Sequence, residues 1–376
     1  MTTTKNNEHK KLNFSSEREQ SQACLNSDEH EKNQGRKVLN VPNLRFPEFQ
    51  GEWEEYRIED ITVNISSGRC KSHSSNGKYN LYGSTGIIGK TDEACYEGNL
   101  VLVARVGANA GSLQIINEPC GITDNTLIIK PKKVDAQYIY YFLQHFNINR
   151  LIFGSGQPLI TGSMLKKVKI SIGNIQEQNK LTRLLSLLDE RIATQSKIID
   201  KLQSLIKGIA DKLFQTARTT KPLLEFAPNI TSGTDKSGSG TIPLYGSTGI
   251  IGTVKNASQK GNIVLVARVG TIGTVQYVNE PCGVSDNALI VEAGEMTKYI
   301  YHFLKTYNFT RITSGTTQPL ITASSLKKAA IPTYDIESQT RIVLCLNGLE
   351  KKLDMAKQYL SDIAVMKQYL LRQMFI

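Results

Sequence analysis

Residues Leu81–Gly89 read LYGSTGIIG, and residues Leu244–Gly252 repeat that sequence without a change. Further identical blocks recur at nearly the same separation, between 161 and 163 positions. They are VLVARVG at Val101 and Val264, NEPCG at Asn117 and Asn279, and QPLIT at Gln157 and Gln318. Self-similarity over such a long period is the signature of an internal duplication. The chain is therefore predicted to contain two copies of one structural unit.

The duplication extends into a long segment that follows each copy. Residues Ile175–Phe214 align with Ile336–Phe375, and neither segment contains proline. Apolar residues recur in both at heptad spacing, which is typical of a coiled-coil seam. An amphipathic helix packed on its own domain is the alternative. The predicted seam positions are Leu181, Leu185, Leu188, Ile192, Ile199 and Leu202 in the first segment, and Ile342, Leu346, Leu349, Leu353, Leu360 and Ile363 in the second.

These patterns divide the 376 residues into five parts. Residues 1–40 are polar and are expected to form a disordered tail. Residues 41–173 form a first domain and residues 219–335 a second, both with short apolar runs and glycine-rich turns that indicate an α/β fold. Residues 174–218 and 336–376 are the long helices. Because the termini of a domain usually lie close together, we expect the helices to run antiparallel, with the domains at opposite ends in a pseudo-two-fold arrangement.

The composition favours a polyanionic partner. The chain is 40% hydrophobic, with a net charge of +11 and a pI near 9.2. Positive charge is spread over both halves, as expected if both contact one long anion such as a nucleic acid. No apolar stretch reaches the roughly 20 residues that span a bilayer, and the polar start of the chain does not resemble a secretory signal. We therefore expect a cytoplasmic protein without a membrane partner.

The cysteines show no pattern that points to chemistry. They are scattered and form no CxxC pair, which argues against a zinc site and gives no disulfide framework. We interpret them as small buried residues rather than as metal ligands or redox groups. The six are Cys24, Cys70, Cys95, Cys120, Cys282 and Cys345.

One arginine ends the buried apolar run in each copy. Arg105 in the first copy and Arg268 in the second are each followed by a glycine two positions later. An arginine at a strand terminus beside a flexible turn can reach a guanine edge or a phosphate. The alternative is an ion pair with a structural carboxylate such as Asp124 or Asp286, and the two interpretations are compatible. The Asp–Asn pairs to which these carboxylates belong either cap a turn or contact bases.

Polar loops and lysine pairs supply the other candidates for contacts to nucleic acid. Lysines of this kind suit phosphate contacts, although such pairs are equally common on solvated surfaces. In the first copy the candidates are Arg69, Lys71, Lys78, Tyr82, Ser84, Thr85, Asn109, Ser155, Gln157, Lys166 and Lys167. In the second copy they are Lys236, Tyr245, Ser247, Thr248, Thr271, Thr316, Gln318, Lys327 and Lys328.

Motifs of common enzymes are missing from the sequence. The first glycine-rich turn continues into Gly89-Lys90-Thr91, but a phosphate loop needs glycine where Ser84 stands. HExxH, GxSxG and the Asn-Pro-Pro-aromatic methyltransferase motif do not occur. None of the five histidines recurs between the copies, whereas a duplicated enzyme should duplicate its catalytic groups. We expect no catalytic residue, metal ligand or cofactor site in this chain.

Taken together, these features resemble a specificity subunit of a type I restriction–modification system. The resemblance covers nearly the whole chain from Val41. It rests on the lead-in LRFPEFQGEW, the YGSTGIIG and ARVG blocks, the QPLIT turn and the helix openings IQEQNKL and IESQTRI. As a set these motifs are highly specific for the family.

The resemblance implies a division of labour between this chain and its partners. Each domain resembles a target-recognition domain that reads one half of a bipartite double-stranded DNA sequence. The helices resemble the conserved spacer regions, which set the gap between half-sites and dock two methyltransferase subunits. Restriction and translocase subunits would join that core. Adenine-N6 methylation, ATP hydrolysis and cleavage would belong to the partners, which would bind S-adenosylmethionine, ATP and magnesium.

Other interpretations fit the same pattern. They are a stand-alone DNA-binding regulator or decoy on this scaffold, a nuclease or transferase acting alone, and a coiled-coil adaptor for proteins. The two copies match even in loop residues, more than recognition domains of this family usually do. This likeness motivates the hypothesis that the two half-sites are nearly the same sequence read in opposite orientation.

Overall fold

The computed structural model describes residues 39–70, 76–152, 158–315 and 319–376. It has a mixed α/β architecture with two similar domains and two long helices, as predicted. Among the described helices, none combines the length and the hydropathy needed to cross a bilayer.

The predicted disordered tail, residues 1–40, lies outside the described residues except for its last two. Of these, Asn40 belongs to the first domain. Its side chain donates a hydrogen bond to the carbonyl of Trp53 over 2.6 Å, and its carbonyl accepts from the Trp53 amide at 2.7 Å. Asn40 is therefore held against the start of the first domain.

The described part of the first domain consists of short strands and two helices. In chain order these are β1 (Glu54–Arg57), β2 (Thr62–Ser67), β3 (Tyr79–Gly83), β4 (Gly86–Thr91), β5 (Leu100–Ala104), β6 (Leu113–Ile116), β7 (Cys120–Ile122), β8 (Thr126–Pro131), α1 (Ala136–Phe146), α2 (Gly162–Lys166) and β9 (Lys169–Ile172). A four-stranded sheet has the order β2-β8-β5-β6, and a three-stranded sheet has the order β4-β3-β7. The long helix α3 (Ile175–Gln215) follows.

The second domain repeats this plan. Its elements are β10 (Thr219–Pro222), β11 (Thr231–Ser232), β12 (Ile242–Tyr245), β13 (Ile250–Val254), β14 (Ile263–Ala267), β15 (Val275–Val278), β16 (Gly283–Val284), β17 (Ala288–Val291), α4 (Thr297–Thr306), β18 (Thr313–Ser314), β19 (Leu320–Ile321), α5 (Ala323–Lys327) and β20 (Ala330–Thr333). The sheet orders β11-β17-β14-β15 and β13-β12-β16 match those of the first domain. The second long helix is α6 (Ile336–Met374).

The continuous apolar runs of the sequence form the central strands β5 and β14. All five residues of each strand are buried. In β5, Val101 and Val103 pack in the main core with helix α1, whereas Leu100 and Leu102 pack in a smaller core with β7. A strand that is covered on both faces needs apolar side chains at every position, which explains why the run does not alternate.

The cysteines agree only partly with their predicted burial. Cys70, Cys120 and Cys282 are buried, as expected for small apolar side chains. Cys95 and Cys345 are exposed, so the interpretation was wrong for these two. Cys24 lies outside the described residues.

The first and the last strand of each domain lie side by side. Strand β1 pairs antiparallel with β9, and β10 pairs antiparallel with β20. Because β9 and β20 lead directly into α3 and α6, each long helix starts beside the point where its domain began. This is the closeness of termini from which the antiparallel arrangement was predicted.

The two long helices pack against each other in opposite directions. Asp189, early in α3, forms an ion pair with Lys367, late in α6, with 2.6 Å between Oδ1 and Nζ. At the other end, Phe214 of α3 shares a core with Leu346 of α6. Positions rise along one helix as they fall along the other, so the antiparallel prediction is confirmed. Each helix is about 60 Å long at 1.5 Å per residue.

The predicted seam residues differ in how far they are covered. All twelve predicted seam residues are buried or half-buried. Full burial is concentrated where a domain also packs on the helices, as for Leu185 and Leu346. Midway, Ile192, Leu202 and Leu353 are only half-buried, because two helices alone cannot enclose a seam from all sides.

Each long helix ends in a phenylalanine that inserts into a domain. Phe214 contacts Tyr299 of the second domain, with ring centroids 5.5 Å apart. Phe375, the equivalent residue after α6, contacts Tyr138 of the first domain at 5.4 Å. Phe375 therefore packs into the first domain in the same way as Phe214 packs into the second.

The lead-in to the first domain has an additional anchor on α3. Glu177 is buried, and its carboxylate accepts hydrogen bonds from Arg45 Nε at 2.7 Å and from Trp53 Nε1 at 3.0 Å. The hydrogen bond to Glu177 raises the pKa of the Arg45 guanidinium above its ordinary value. The equivalent position on α6 is Ser338, so this anchor belongs to the first domain alone.

Phe375→Ala should destabilise the first domain, although this residue lies at the far end of the sequence. Truncation of a buried phenylalanine lowers the free energy of unfolding by about 3–5 kcal/mol, and Phe375 is 3% exposed. Trp53 is the only tryptophan and lies in the same core, so its fluorescence during urea unfolding reports first-domain stability. Phe214→Ala, the matched control, should leave the Trp53 transition in place. An equal decrease in the free energy of unfolding in both variants would contradict the specific packing of Phe375 into the first domain.

Candidate nucleic-acid interface

Loops from separate parts of the first domain meet at one edge, beyond the end of β5 and the start of β8. Backbone hydrogen bonds join them: Thr123 N–H to Tyr82 O (3.0 Å), Arg105 N–H to Asn125 O (3.0 Å), Ile160 N–H to Arg105 O (2.8 Å) and Gly68 N–H to Thr126 O (3.0 Å). The loops so connected carry the predicted residues Arg69, Tyr82, Ser84, Thr85, Arg105 and Asn109. The fold thus brings candidates that are distant in sequence to one edge.

The second domain forms the same edge with equivalent bonds. They run from Ser285 N–H to Tyr245 O (2.9 Å), Arg268 N–H to Asn287 O (3.0 Å) and Ile321 N–H to Arg268 O (3.0 Å). Strands β3 and β4 form a hairpin in the first domain, and β12 and β13 form the equivalent hairpin in the second. In the second domain the tip of this hairpin also touches the loop after β14, since Thr271 Oγ1 lies 3.5 Å from the carbonyl oxygen of Ser247. The predicted residues Tyr245, Ser247, Thr248, Arg268 and Thr271 therefore belong to one edge.

The arginine at each edge has a buried nitrogen for which the described residues supply no partner. Arg105 Nε and Arg268 Nε are enclosed, and neither has a hydrogen bond within the described residues. Neither arginine forms an ion pair with Asp124 or Asp286 in the part of the chain that the structure describes, so the structural ion pair is not found there. An enclosed donor without an acceptor is unfavourable by about 1–3 kcal/mol. Neither half-buried arginine therefore has a described protein partner that would compete with a ligand at the edge.

The tyrosine of each hairpin is engaged within its own domain. The hydroxyl of Tyr82 donates to Glu118 over 2.7 Å, and that of Tyr245 donates to Glu280 over 2.7 Å. Burial, and then the adjacent carboxylate, raises the pKa of both tyrosines to about 12. The hydroxyls thus stay protonated and orient the hairpin. Sequence reasoning missed both glutamates, although the repeated NEPCG block was a signal.

A glutamine holds the tip of each hairpin. Gln114 Nε2 donates to the carbonyl of Gly83 at 2.9 Å, and Gln276 Nε2 donates to that of Gly246 at 3.0 Å. These glutamines lie on β6 and β15, so the tip is fixed to the main sheet. No sequence pattern predicts this contact, because single glutamines on strands are common.

The remaining candidates are placed less centrally or lie outside the described residues. Lys167 and Lys328 are exposed, Lys166 and Lys327 are half-buried, and no described contact joins these lysines to the arginines. Lys78 and Lys236 are exposed. Lys71, Ser155, Gln157, Thr316 and Gln318 lie outside the described residues.

The edges contain no arrangement suited to metal binding. Within the described ranges, no group of three or more His, Cys, Asp or Glu side chains could hold a metal ion. What the edges offer is a set of hydroxyl, amide and guanidinium groups, which is the chemistry used to contact phosphates and base edges.

Comparison with known proteins gives one consistent family. A family model described as a type I restriction modification DNA specificity domain matches residues 50–204 and again residues 220–364. The MjaVIII specificity subunit of Methanocaldococcus jannaschii is 28% identical over 188 residues, which cover 46% of this chain and 43% of that protein. The EcoprrI specificity subunit of Escherichia coli is 23% identical over 112 residues, covering 30% of this chain and 28% of that protein. These alignments span less than half the length of either relative.

Solved structures share the fold over most of the chain. The S subunit of a type I restriction–modification system from M. genitalium aligns with a TM-score of 0.67 and 21% identity, covering 89% of this chain and 99% of that one. A chain from a structural study of type I system assembly and conformational transition aligns with a TM-score of 0.54 and 13% identity, covering 85% and 96%. At these identities the likeness establishes the fold.

Arg105→Met should leave the free energy of unfolding of the first domain unchanged or raise it by up to about 2 kcal/mol. The variant keeps the apolar stem and removes an enclosed donor that has no described partner. Urea unfolding followed by Trp53 fluorescence measures this, and Arg268→Met should leave the same transition unaffected. A loss of more than about 2 kcal/mol in Arg105→Met would indicate that Arg105 has a structural partner.

Proposed function

The chain belongs to the type I restriction–modification DNA specificity family, and on that premise we propose that its two domains each bind one half of a bipartite DNA target. The observation that carries the proposal is the arginine at each edge, which has an enclosed nitrogen and no described protein partner. Arginine contacts guanine O6 and N7 with two donors, and it contacts phosphate in a similar way. Its placement beside the polar side chains of the hairpin suits readout of base edges.

The long helices support simultaneous use of both edges. They run antiparallel and each is packed against both domains, which fixes the two edges relative to each other. A rigid connection of this kind sets the gap between two half-sites on one duplex. The net charge of +11 supports the same partner, because positive charge attracts the DNA backbone without regard to sequence.

We further propose that the long helices dock two methyltransferase subunits. Several large apolar side chains on them are exposed, and some occur in pairs at equivalent positions of the repeat. These pairs are Ile175 with Ile336, Ile198 with Tyr359, and Leu205 with Met366. Exposed apolar groups on a soluble helix favour a protein partner. Their duplication supports two like partners placed about the pseudo-two-fold axis.

In this proposal the chain itself is not catalytic. Methyl transfer, ATP hydrolysis and any cleavage belong to the methyltransferase and restriction subunits, which bind S-adenosylmethionine, ATP and magnesium. The purified chain, incubated with DNA and these compounds, should give no product until its partners are added. Release of product by the chain alone would overturn this part of the proposal, and failure to copurify with a methyltransferase would favour a stand-alone regulator or decoy.

Arg105→Met and Arg268→Met should each weaken binding of the full complex to its DNA target by about 5- to 150-fold, which corresponds to about 1–3 kcal/mol. Equilibrium binding to a fluorescent duplex at fixed salt measures this. Lys130→Met is the matched control, because it also removes one positive charge but lies exposed near the opposite end of β8. Equal losses in all three variants would mean that only net charge matters and would contradict the role of the arginines.

Ile198→Asp and Tyr359→Asp should each release one methyltransferase subunit, and the double variant should release both. A buried carboxylate without a partner opposes docking on an apolar surface. Native mass spectrometry of the purified complex counts the subunits. Gln203→Glu, exposed about 140° further round α3, is the control with one added negative charge. Retention of two methyltransferases by the double variant would place the docking surface elsewhere.

A further inference from the structure

We propose that the DNA target is an interrupted inverted repeat, whose two half-sites share most of their bases and are read in opposite orientation. This inference rests on the proposed function and specifies the class of DNA sequence that the two edges recognise. It follows from three properties of the edges: their composition, their internal contacts and their relative orientation.

The two edges present the same side chains. Each has the tyrosine, serine and threonine of the hairpin, the arginine after the central strand, and an Asp–Asn turn. They are Tyr82, Ser84, Thr85, Arg105, Asp124 and Asn125 in the first domain, and Tyr245, Ser247, Thr248, Arg268, Asp286 and Asn287 in the second. Base edges are distinguished by their pattern of donors and acceptors. Identical donor and acceptor sets therefore select the same bases, provided that they are held in the same way.

The internal contacts that hold these side chains are also the same. The tyrosine–glutamate bond measures 2.7 Å in both domains, and the bond from glutamine to the hairpin carbonyl measures 2.9 and 3.0 Å. The glycine after each arginine adopts a left-handed conformation, with φ of 77° at Gly107 and 71° at Gly270. In both domains the arginine Nε is enclosed and has no hydrogen-bond partner in the ranges that the structure describes. The two edges thus hold these side chains in the same geometry.

The antiparallel helices decide the orientation. They relate the domains by an approximate two-fold axis rather than by translation, since each helix closes onto the other helix's domain through Phe214 or Phe375. When a two-fold protein binds one duplex, its half-sites are inverted relative to each other, because the local symmetry axes of protein and DNA coincide. A direct repeat would present the second half-site backwards to its domain.

The likeness fails in the loop after each arginine, where Asn109 in the first domain and Thr271 in the second differ, and also on one side of the hairpin, and these places locate the bases that differ. In the first domain, Asn80 donates to Glu118 over 2.6 Å and accepts from Lys90 Nζ over 2.9 Å. The equivalent residues of the second domain, Pro243 and Thr253, cannot form this network. Base pairs near this side of the hairpin should therefore differ between the half-sites, whereas those contacted by the arginines should be the same.

Sequencing of modified adenines tests the inference in a host whose only methyltransferase is the complex of this chain and its partner. The expected motif has two halves that match at most positions when each is read 5′ to 3′ on its own strand. Two halves that share no more bases than unrelated sequences would overturn the inference and leave the proposed function intact. Absence of any bipartite motif would overturn both.

Binding of the wild-type complex to synthetic duplexes gives a second readout. A duplex with the first half-site placed twice as an inverted repeat should bind within about tenfold of the natural target. A direct repeat of the same half-site should bind at least about 100-fold more weakly, because several base pairs then mismatch. Arg105→Met and Arg268→Met should relax the choice of base at mirror-related positions. Equal binding to direct and inverted repeats would overturn the inference.

Discussion

Sharing of each long helix between both domains is the constraint on which the rest of the structure depends. Helix α3 starts in the core of the first domain with Leu181 and Leu185, and it ends in the core of the second with Phe214. Helix α6 does the reverse and ends with Phe375 in the first domain. The seam between the helices is only half-covered midway, so the two domains supply the burial that fixes the helices, and the helices in turn fix the domains. The ion pair of Asp189 with Lys367 has no copy at the equivalent position Ile206, which distinguishes the two ends.

At each edge, the strands and the loops differ in how they contribute to stability. Strands β5 and β14 are buried on both faces, whereas the loop after each of them begins with an arginine whose enclosed Nε finds no partner in the described part of the chain. Such a group lowers stability, and it is found twice at equivalent positions. Tyr82 and Gln114, by contrast, are fully engaged and orient the hairpin. Each edge therefore combines a hairpin held by internal hydrogen bonds with an arginine whose Nε has no partner among the described residues.

Sequence patterns predicted most of the architecture, because they report periodicity and repetition directly. The heptads gave the seam, the continuous apolar runs gave β5 and β14, and the repeat with its helices gave the antiparallel plan. Contacts between distant residues were not predictable in the same way. The acceptors of Tyr82 and Tyr245 are single glutamates, and the closing role of Phe375 depends on a core formed by residues far away in the sequence. The pairing of Arg105 was left open, because a nearby Asp124 in the sequence does not determine whether the two side chains meet.

Chemical cross-linking across the two long helices tests the central claim most directly. In a chain whose native cysteines are replaced by serine, Asp189→Cys with Lys367→Cys should be joined by a short bis-maleimide within one molecule, since these side chains are in contact. Asp189→Cys with Glu350→Cys should not be joined, because the antiparallel arrangement puts these equivalent positions at opposite ends. Efficient cross-linking of the second pair and not of the first would mean that the helices run parallel, and it would contradict the two-fold relation between the domains.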